Sequence, residues 1–236
     1  MKNIITKFNP AYIEDLLIAV SESDKIIGAI DKTLAHDATY LKKSIYPHRA
    51  FSLFLFDQFN RMVLQKRSSQ KKAFPLVWSN TCCSHPLFYW EALNETPLFS
   101  VHQTSKFAIK RTKEELGEKL LLKPEDLNFA GKFLYKFIGT NGWGEHELDY
   151  VYVAKINDPV FQLNRDEVES IELVKRSEYE SFCIAKKNEE QVFSPWYLGI
   201  IEHALKDIWD NVENNTLCKQ SADSLKQLDK IIICKP

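Results

Sequence analysis

Ala50-Phe51-Ser52-Leu53-Phe54-Leu55-Phe56, followed by the polar turn Asp57-Gln58-Phe59-Asn60 and then by Met62-Val63-Leu64-Gln65-Lys66-Arg67, is the stretch that decides the fold. Two short apolar runs of β-favouring residues with turn formers between them predict two strands joined by a turn. Upstream, the runs 15–20 and 25–30 flank Ser21-Glu22-Ser23-Asp24 and predict a hairpin. Downstream, 128–138 and 147–156 read as strands, the second alternating Leu148, Tyr150 and Tyr152 against Asp149, Val151 and Val153. Residues 168–174 are a further short strand. Two helices are interspersed. One covers 105–120, proline-free and rich in Lys and Glu, capped near Thr104 or Ser105 and ending near Gly117. The other follows Ser194-Pro195-Trp196 over 197–212, with Leu198, Ile201, Leu205, Ile208 and Trp209 on one stripe. This order predicts the α/β class, a mixed sheet flanked by helices. Residues 216–236 carry a weaker helix-like pattern ending in Ile231-Ile232-Ile233.

The 236-residue length suits one elaborated domain, and 44% apolar with 27% charged residues excludes wholesale disorder, a collagen-like chain and a membrane channel. With 31 basic against 32 acidic residues the net charge is −1, so non-specific attraction to nucleic acid is not expected and any anion must be held locally. Only seven glycines stand against fifteen Phe, nine Tyr and five Trp. No GxGxxG or Walker-type loop occurs, so a phosphorylated ligand needs basic side chains and a metal in place of loop amides. Five cysteines, with Cys82 and Cys83 adjacent, suit a reducing compartment, and the cytoplasm is the expected location. The first ten residues lack a secretory apolar run, and Leu16–Val20 is too short to span a bilayer.

Four constellations carry chemistry, each with a plainer reading beside it. In Asn80-Thr81-Cys82-Cys83-Ser84-His85-Pro86 a thiol sits two residues from an imidazole; in a loop, with a cation nearby, it titrates as a thiolate, and otherwise this is a buried Cys pair beside an ordinary His. In Trp143-Gly144-Glu145-His146-Glu147-Leu148-Asp149, Glu145 and Glu147 share one strand face, where they repel unless a cation lies between them or one stays protonated; the alternative is a solvated edge. His36 and His48, taken singly, are surface or core histidines, whereas together with His85, Glu145 and Glu147 they make a donor set for a divalent transition metal such as Mn²⁺ or Zn²⁺. Arg111 and Glu115 stand at i and i+4 of the first helix, either as a surface ion pair or as a phosphate-binding arginine beside a carboxylate that reaches Mg²⁺ on a diphosphate. Upstream of the cysteines, 67–78 is a basic stretch running into aromatics.

His48 to Phe56, the strand end Gln65-Lys66-Arg67, Asn80 to Pro86, Glu115-Leu116-Gly117, Trp143 to Glu147 and Ser194-Pro195-Trp196 together resemble type I isopentenyl-diphosphate delta-isomerases over about residues 15–211. The resemblance implies a Nudix-type α/β/α sandwich that interconverts isopentenyl and dimethylallyl diphosphate through a tertiary carbocation. It implies His36, His48, His85, Glu145 and Glu147 as ligands of one Mn²⁺ or Zn²⁺, and Glu115 as ligand of Mg²⁺. Lys32, Arg67, Lys71 and Arg111 fall where the family contacts phosphate. Cys83 and Glu147 match the proton-transferring positions, Tyr135 the tyrosine beside the glutamate, and Trp196 the tryptophan whose π face steadies the cation. The partner implied is a small diphosphate, with neither nucleic acid nor membrane, and the chain is expected to be a monomer or weak homodimer. Residues 1–14 are then an N-terminal extension, 15–213 the isomerase domain and 214–236 a tail.

The chain departs from the family pattern at Phe74-Pro75-Leu76, where a glycine usually follows the proline, and in the bulky Phe88, Tyr89 and Trp90. Two rival readings remain. A Nudix hydrolase would need Gly, Glu, Arg and Glu where Thr96, His102, Lys110 and Arg111 stand, and only Glu114, Glu115 and Gly117 of its box survive, too few carboxylates to gather metal ions and activate water. A silent metal- or diphosphate-binding module would have no use for Cys83, Glu147, Tyr135 and Trp196 together.

Overall fold

Strands β3 (His48–Phe56) and β8 (Gly144–Lys155) run parallel at the centre of the molecule, in register from His48 opposite Glu147 to Phe56 opposite Lys155. Every residue of both except Lys155 is buried. A strand covered on both faces must be apolar almost throughout, which explains the unbroken Leu53-Phe54-Leu55-Phe56 run. The computed structural model describes residues 16–88, 96–139, 141–217 and 230–234. The N-terminal extension 1–14, Tyr89, Trp90 and positions 218–229 of the tail lie outside the described residues.

Around the central pair, β1 (Leu16–Val20) and β2 (Ile26–Asp31) form the expected hairpin, joined to β3 through Ala19 opposite His48. On the other side β7 (Asn128–Ile138) pairs antiparallel with β8, and β10 (Ile231–Ile233) pairs parallel with β7, giving the order β10-β7-β8-β3-β1-β2. Strand β4 (Met62–Arg67) meets β3 only at Phe56 and Met62, then leaves it for β9 (Val168–Val174) and β5 (Trp78–Ser79). The turn before it is held by Asp57, whose Oδ1 accepts from the amides of Phe59 and Arg61, with Asn60 in the left-handed region at φ 58°. Splaying β4 away leaves room beside β3 for β6 (Cys82–Ser84), which pairs Cys83 with Ser52.

Helix α3 (Pro97–Leu116) covers one face of the sheet, where Val101, Ala108 and Leu116 join Phe51, Leu53, Leu55, Leu148, Tyr150 and Tyr152. Helix α5 (Pro195–Glu213) covers the other, where Tyr197, Ile200 and Ile208 join Phe54, Phe56, Val151 and Val153. The result is an α/β/α sandwich. Each buried aromatic or aliphatic side chain of these layers stabilises the fold by roughly 1.5–3 kcal/mol.

Several elements differ from the sequence expectations. α3 starts eight residues before the expected 105, because Thr96 caps it by accepting from the Phe99 amide and Pro97 occupies its first turn. The hydroxyl of Ser105 instead bonds to the His102 carbonyl within the helix. α5 begins at Pro195, and it turns Leu198 outward, at 48% exposure, while Tyr197, Ile200, Ile208 and Val212 face the sheet. The Cys83 motif is a short strand, not a loop. The weak helical pattern of the tail ends in strand β10. Helices α1 (Lys32–His36), α2 (Ala38–Leu41) and α4 (Tyr179–Asn188) had no recognised periodicity, the first two being too short to show one.

Two backbone positions bear on the site. Gly117 ends α3 at φ 117°, and a Cβ there would fall 2.9 Å from Gln162 Cβ and 3.0 Å from its amide nitrogen. That close approach lets the Gln162 amide reach the Leu116 carbonyl at 2.7 Å and the Asn164 amide reach the Glu115 carbonyl at 2.9 Å. Gly117→Ala is expected to lower stability by about 2 kcal/mol or more, from backbone strain plus the clash, and an unchanged urea midpoint would contradict this. Leu76, where relatives of the resembling family place glycine, holds φ 59° with its side chain 45% exposed. Left-handed backbone costs a residue with a Cβ roughly 1–2 kcal/mol, partly offset by the greater freedom that glycine has in the unfolded chain. Leu76→Gly is therefore expected to raise the thermal midpoint, by roughly 0.5 kcal/mol in stability, and a lower midpoint would refute the strain.

Candidate active site

Alternation along β8 puts Glu145, Glu147 and Asp149 on the α5 side of the sheet, and register places His48 of β3 beside Glu147. His36 arrives on α1, which Asp31 caps by accepting from the Leu34 amide at 2.9 Å, and His85 follows β6. The three imidazoles form a near-equilateral triangle, with ring centroids 4.9, 4.9 and 4.8 Å apart. One ligand atom from each of His36, His48, His85, Glu145 and Glu147 lies within 4.8 Å of all the others. His36 Nε2 is 3.0 Å from Glu145 Oε2, while His48 Nε2 and His85 Nε2 lie 3.3 and 2.6 Å from Glu147 Oε1.

These groups fit a divalent cation. His36 Nδ1 donates to the Lys32 carbonyl at 2.6 Å, which fixes the ring and aims Nε2 at the cluster. His48 Nε2 and Glu145 Oε2 are buried without hydrogen-bond partners, a costly arrangement unless a cation satisfies them. Burial pushes His48 down and His85 down to about 3, leaving both imidazoles in the neutral form that binds metals. Burial, reinforced by Glu147, raises Glu145 to about 7. Burial also opposes charging of His36, yet Glu145 beside it carries His36 up to about 9, so a cation bound there has a proton to displace.

His36, His85, Glu145 and Glu147 of the cluster line a cavity of about 430 Å³. Cys83, Glu147 and Trp196 line it together with Lys32, Arg67, Lys71 and Arg111. Burial pushes the Cys83 thiol up to about 12 against the pull of Arg67, whose Nη1 is 3.7 Å from Sγ, so of the two sequence readings, thiolate or buried thiol, this environment favours the buried thiol. Arg67 also donates to the carbonyls of Phe74 and Ala73, each at 3.0 Å, and lies 5.2 Å over the Trp196 ring. It therefore clamps the strained loop as well as lining the cavity. Behind Glu147, the Tyr135 hydroxyl donates to Glu147 Oε2 and lies 3.1 Å from Asp149 Oδ2, which also accepts from Ser52 Oγ at 2.7 Å.

Glu115 is placed differently from the other expected residues. It is buried, absent from the cavity lining, and turned to Arg111 Nε at 2.9 Å and Gln65 Nε2 at 3.4 Å. Three polar side chains at the site escaped the sequence reading. Asp149 continues the Glu145–Glu147 alternation, a signal that was there to be extended. Ser52 and Glu167 carry no local pattern, since only the folded sheet brings Ser52 to Asp149 and Glu167 to Lys71 and Arg111.

A sandwich with a buried imidazole–carboxylate cluster under a basic cavity has the donors to suit a metal ion and the charge to suit an anionic small molecule. Its relatives say which family this is. The chain is 36% identical over 221 residues, 92% of its length, to isopentenyl-diphosphate delta-isomerase II, chloroplastic, of Arabidopsis thaliana, covering 76% of that protein. It is 34% identical over 203 residues, 86% of its length, to the isopentenyl-diphosphate delta-isomerase of Gibberella zeae, covering 78% of it. The chain belongs to the isopentenyl-diphosphate delta-isomerase family. No family model matches it. Among solved structures it is similar to the NUDIX domain of Shewanella oneidensis NrtR, at 12% identity and TM-score 0.45 over 71% of this chain and 92% of that one. Among the described residues no helix is long and apolar enough to cross a membrane.

The raised His36 gives a direct test. Titration of the metal-free chain with Zn²⁺ or Mn²⁺ at pH 7.5, in buffers of different ionisation enthalpy, is expected to show one bound ion and release of about one proton, because His36 must lose its proton to bind. His36→Ala is expected to weaken affinity at least tenfold. Equal affinity with no proton release would remove His36 from the cluster.

Proposed function

We propose that the chain interconverts isopentenyl diphosphate and dimethylallyl diphosphate, a proton being added at one end of an allylic unit and another removed two carbons away. The observation that carries this reading is that a protonated thiol, a carboxylate and an indole ring line one cavity whose wall is basic. Lys32, Arg67, Lys71 and Arg111 bind the diphosphate, and Trp196, which already accepts a guanidinium over its ring, faces the cationic intermediate. Burying that intermediate among aromatics keeps out water that would convert it to an alcohol.

Cys83 and Glu147 are the catalytic pair, one supplying and one accepting the proton in each direction. Every turnover leaves one of them a proton short and the other a proton over. Tyr135, donating to Glu147, is placed to carry the proton at the carboxylate end of that return. The His36, His48, His85, Glu145 and Glu147 cluster holds Mn²⁺ or Zn²⁺, which when bound supplies positive charge that fixes and stabilises the Glu147 carboxylate. Glu115, whose carboxylate Arg111 orients at 2.9 Å, holds Mg²⁺ against the diphosphate. The reaction belongs to the cytoplasm, a reading supported by four free thiols, Cys82, Cys83, Cys183 and Cys234, among the described residues.

Incubation with isopentenyl diphosphate and Mg²⁺ in deuterated water is expected to label the allylic product. Cys83→Ala and Glu147→Gln are each expected to cut kcat by at least about 10³-fold with an unchanged thermal midpoint, in line with loss of a proton-transfer group. Release of phosphate or diphosphate without label would turn the assignment to a hydrolase.

A further inference from the structure

Lys71 and Arg111 come from different parts of the chain, the loop after β4 and helix α3, yet one carboxylate joins them. Glu167 Oε2 lies 2.5 Å from Lys71 Nζ, and Glu167 Oε1 lies 2.7 Å from Arg111 Nη2. All three line the cavity. Two adjacent cations repel, and long basic side chains lose much rotamer freedom when held in place. A carboxylate spanning both offsets the repulsion and sets their spacing.

Glu167 is itself held on a rigid frame. Its carbonyl accepts from the Ser68 amide at 3.0 Å, and its amide donates to the Asn164 carbonyl at 3.0 Å. The Ser68 hydroxyl donates to the Arg165 carbonyl at 2.8 Å, and the Asn164 amide ties the segment to Glu115 at the end of α3. The residue thus stands where the Lys71 loop, α3 and the start of β9 meet. Burial raises its carboxyl, but Lys71 and Arg111 outweigh that and hold it below the ordinary range. The contacts leave donors to spare, because a guanidinium has five N–H groups and an ammonium three. Arg111 commits Nε to Glu115, Nη1 to Glu114 and Nη2 to Glu167, and Lys71 commits one.

We infer that Glu167 is a positioning residue for the diphosphate: it holds the Lys71 ammonium and the Arg111 guanidinium side by side so that their remaining N–H groups meet the two phosphoryl units. The inference rests on the diphosphate reading of the cavity proposed above. It assigns Glu167 to substrate affinity and not to proton transfer, so its loss must appear in KM.

The test measures kcat and KM for isopentenyl diphosphate and, independently of turnover, the affinity for inorganic diphosphate with Mg²⁺ by calorimetry, in wild-type chain, Glu167→Gln, Glu167→Asp, Lys71→Met and the Lys71→Met/Glu167→Gln double variant. Glu167→Gln is expected to raise KM about tenfold and weaken inorganic diphosphate to the same degree, with kcat within twofold and the thermal midpoint unchanged. Glu167→Asp, too short to span both cations, should lose nearly as much and serves as the second probe if the glutamine variant folds poorly. The double variant should lose less than the two single losses multiplied, since Glu167 acts partly through Lys71. Unchanged or tighter diphosphate binding in Glu167→Gln and Glu167→Asp would overturn the inference, the tighter result showing a carboxylate that merely competes with the ligand. A fall in kcat at constant KM would overturn it as well. Wild-type chain that binds inorganic diphosphate but forms no dimethylallyl diphosphate would defeat the isomerase reading alone.

Discussion

The parallel pairing of β3 with β8 is the constraint on which the site depends, because it sets His48 beside Glu147 and, one alternation further, Ala50 beside Asp149. Side chains on a strand alternate between faces, so a slip of one residue would turn Glu145, Glu147 and Asp149 toward the α3 layer and bury three carboxylates among Phe51, Leu53 and Leu55. The hydrophobic pattern forbids that slip. Leu148, Tyr150 and Tyr152 pack under α3 while Val151 and Val153 pack under α5, and both sets would be displaced at once. The core thus fixes the chemistry by fixing the register.

The same burial makes the cluster unstable as a set of charges. Two carboxylates and three imidazoles with little access to water must be neutralised by protons or by a cation. His36 stands against Glu145, and Glu147 is surrounded by His48, His85 and the Tyr135 hydroxyl. Each of these contacts orients a group that a metal would need oriented, so the metal-free arrangement is already close to a binding geometry. The cost of gathering the ligands falls on folding, and the free energy of metal binding would return part of it as stability.

Much of this was legible in the sequence, and the failures have identifiable causes. The bounds of β7 and β9 follow from their alternation and β-branched or aromatic content. The start of α3 was misread because Thr104 and Ser105 look like caps, while the cap in use, Thr96, lies next to Pro97 ahead of a weakly amphipathic turn. The cluster histidines could be named from the resemblance, but their convergence depends on α1, a five-residue helix with no periodicity of its own. Sequence shows charge but not pairing. Arg67, Lys71 and Arg111 read as equivalent phosphate ligands, whereas in the fold Arg67 serves the Phe74 and Ala73 carbonyls and the other two share Glu167.

That division explains how a chain with seven glycines can build an anion site. A glycine loop presents backbone amides whose positions are fixed by the main chain, so its specificity needs no side-chain ordering. Here the donors are long side chains, and without restraint their disorder would be a large part of the cost of binding. Carboxylates supply the restraint: Glu115 and Glu114 for Arg111, Glu167 for Arg111 and Lys71. Each carboxylate also lowers the net positive charge that the ligand meets, so the arrangement exchanges some electrostatic attraction for preorganisation. On the diphosphate reading proposed above, the exchange favours a ligand that engages both held cations over one that reaches only part of the row.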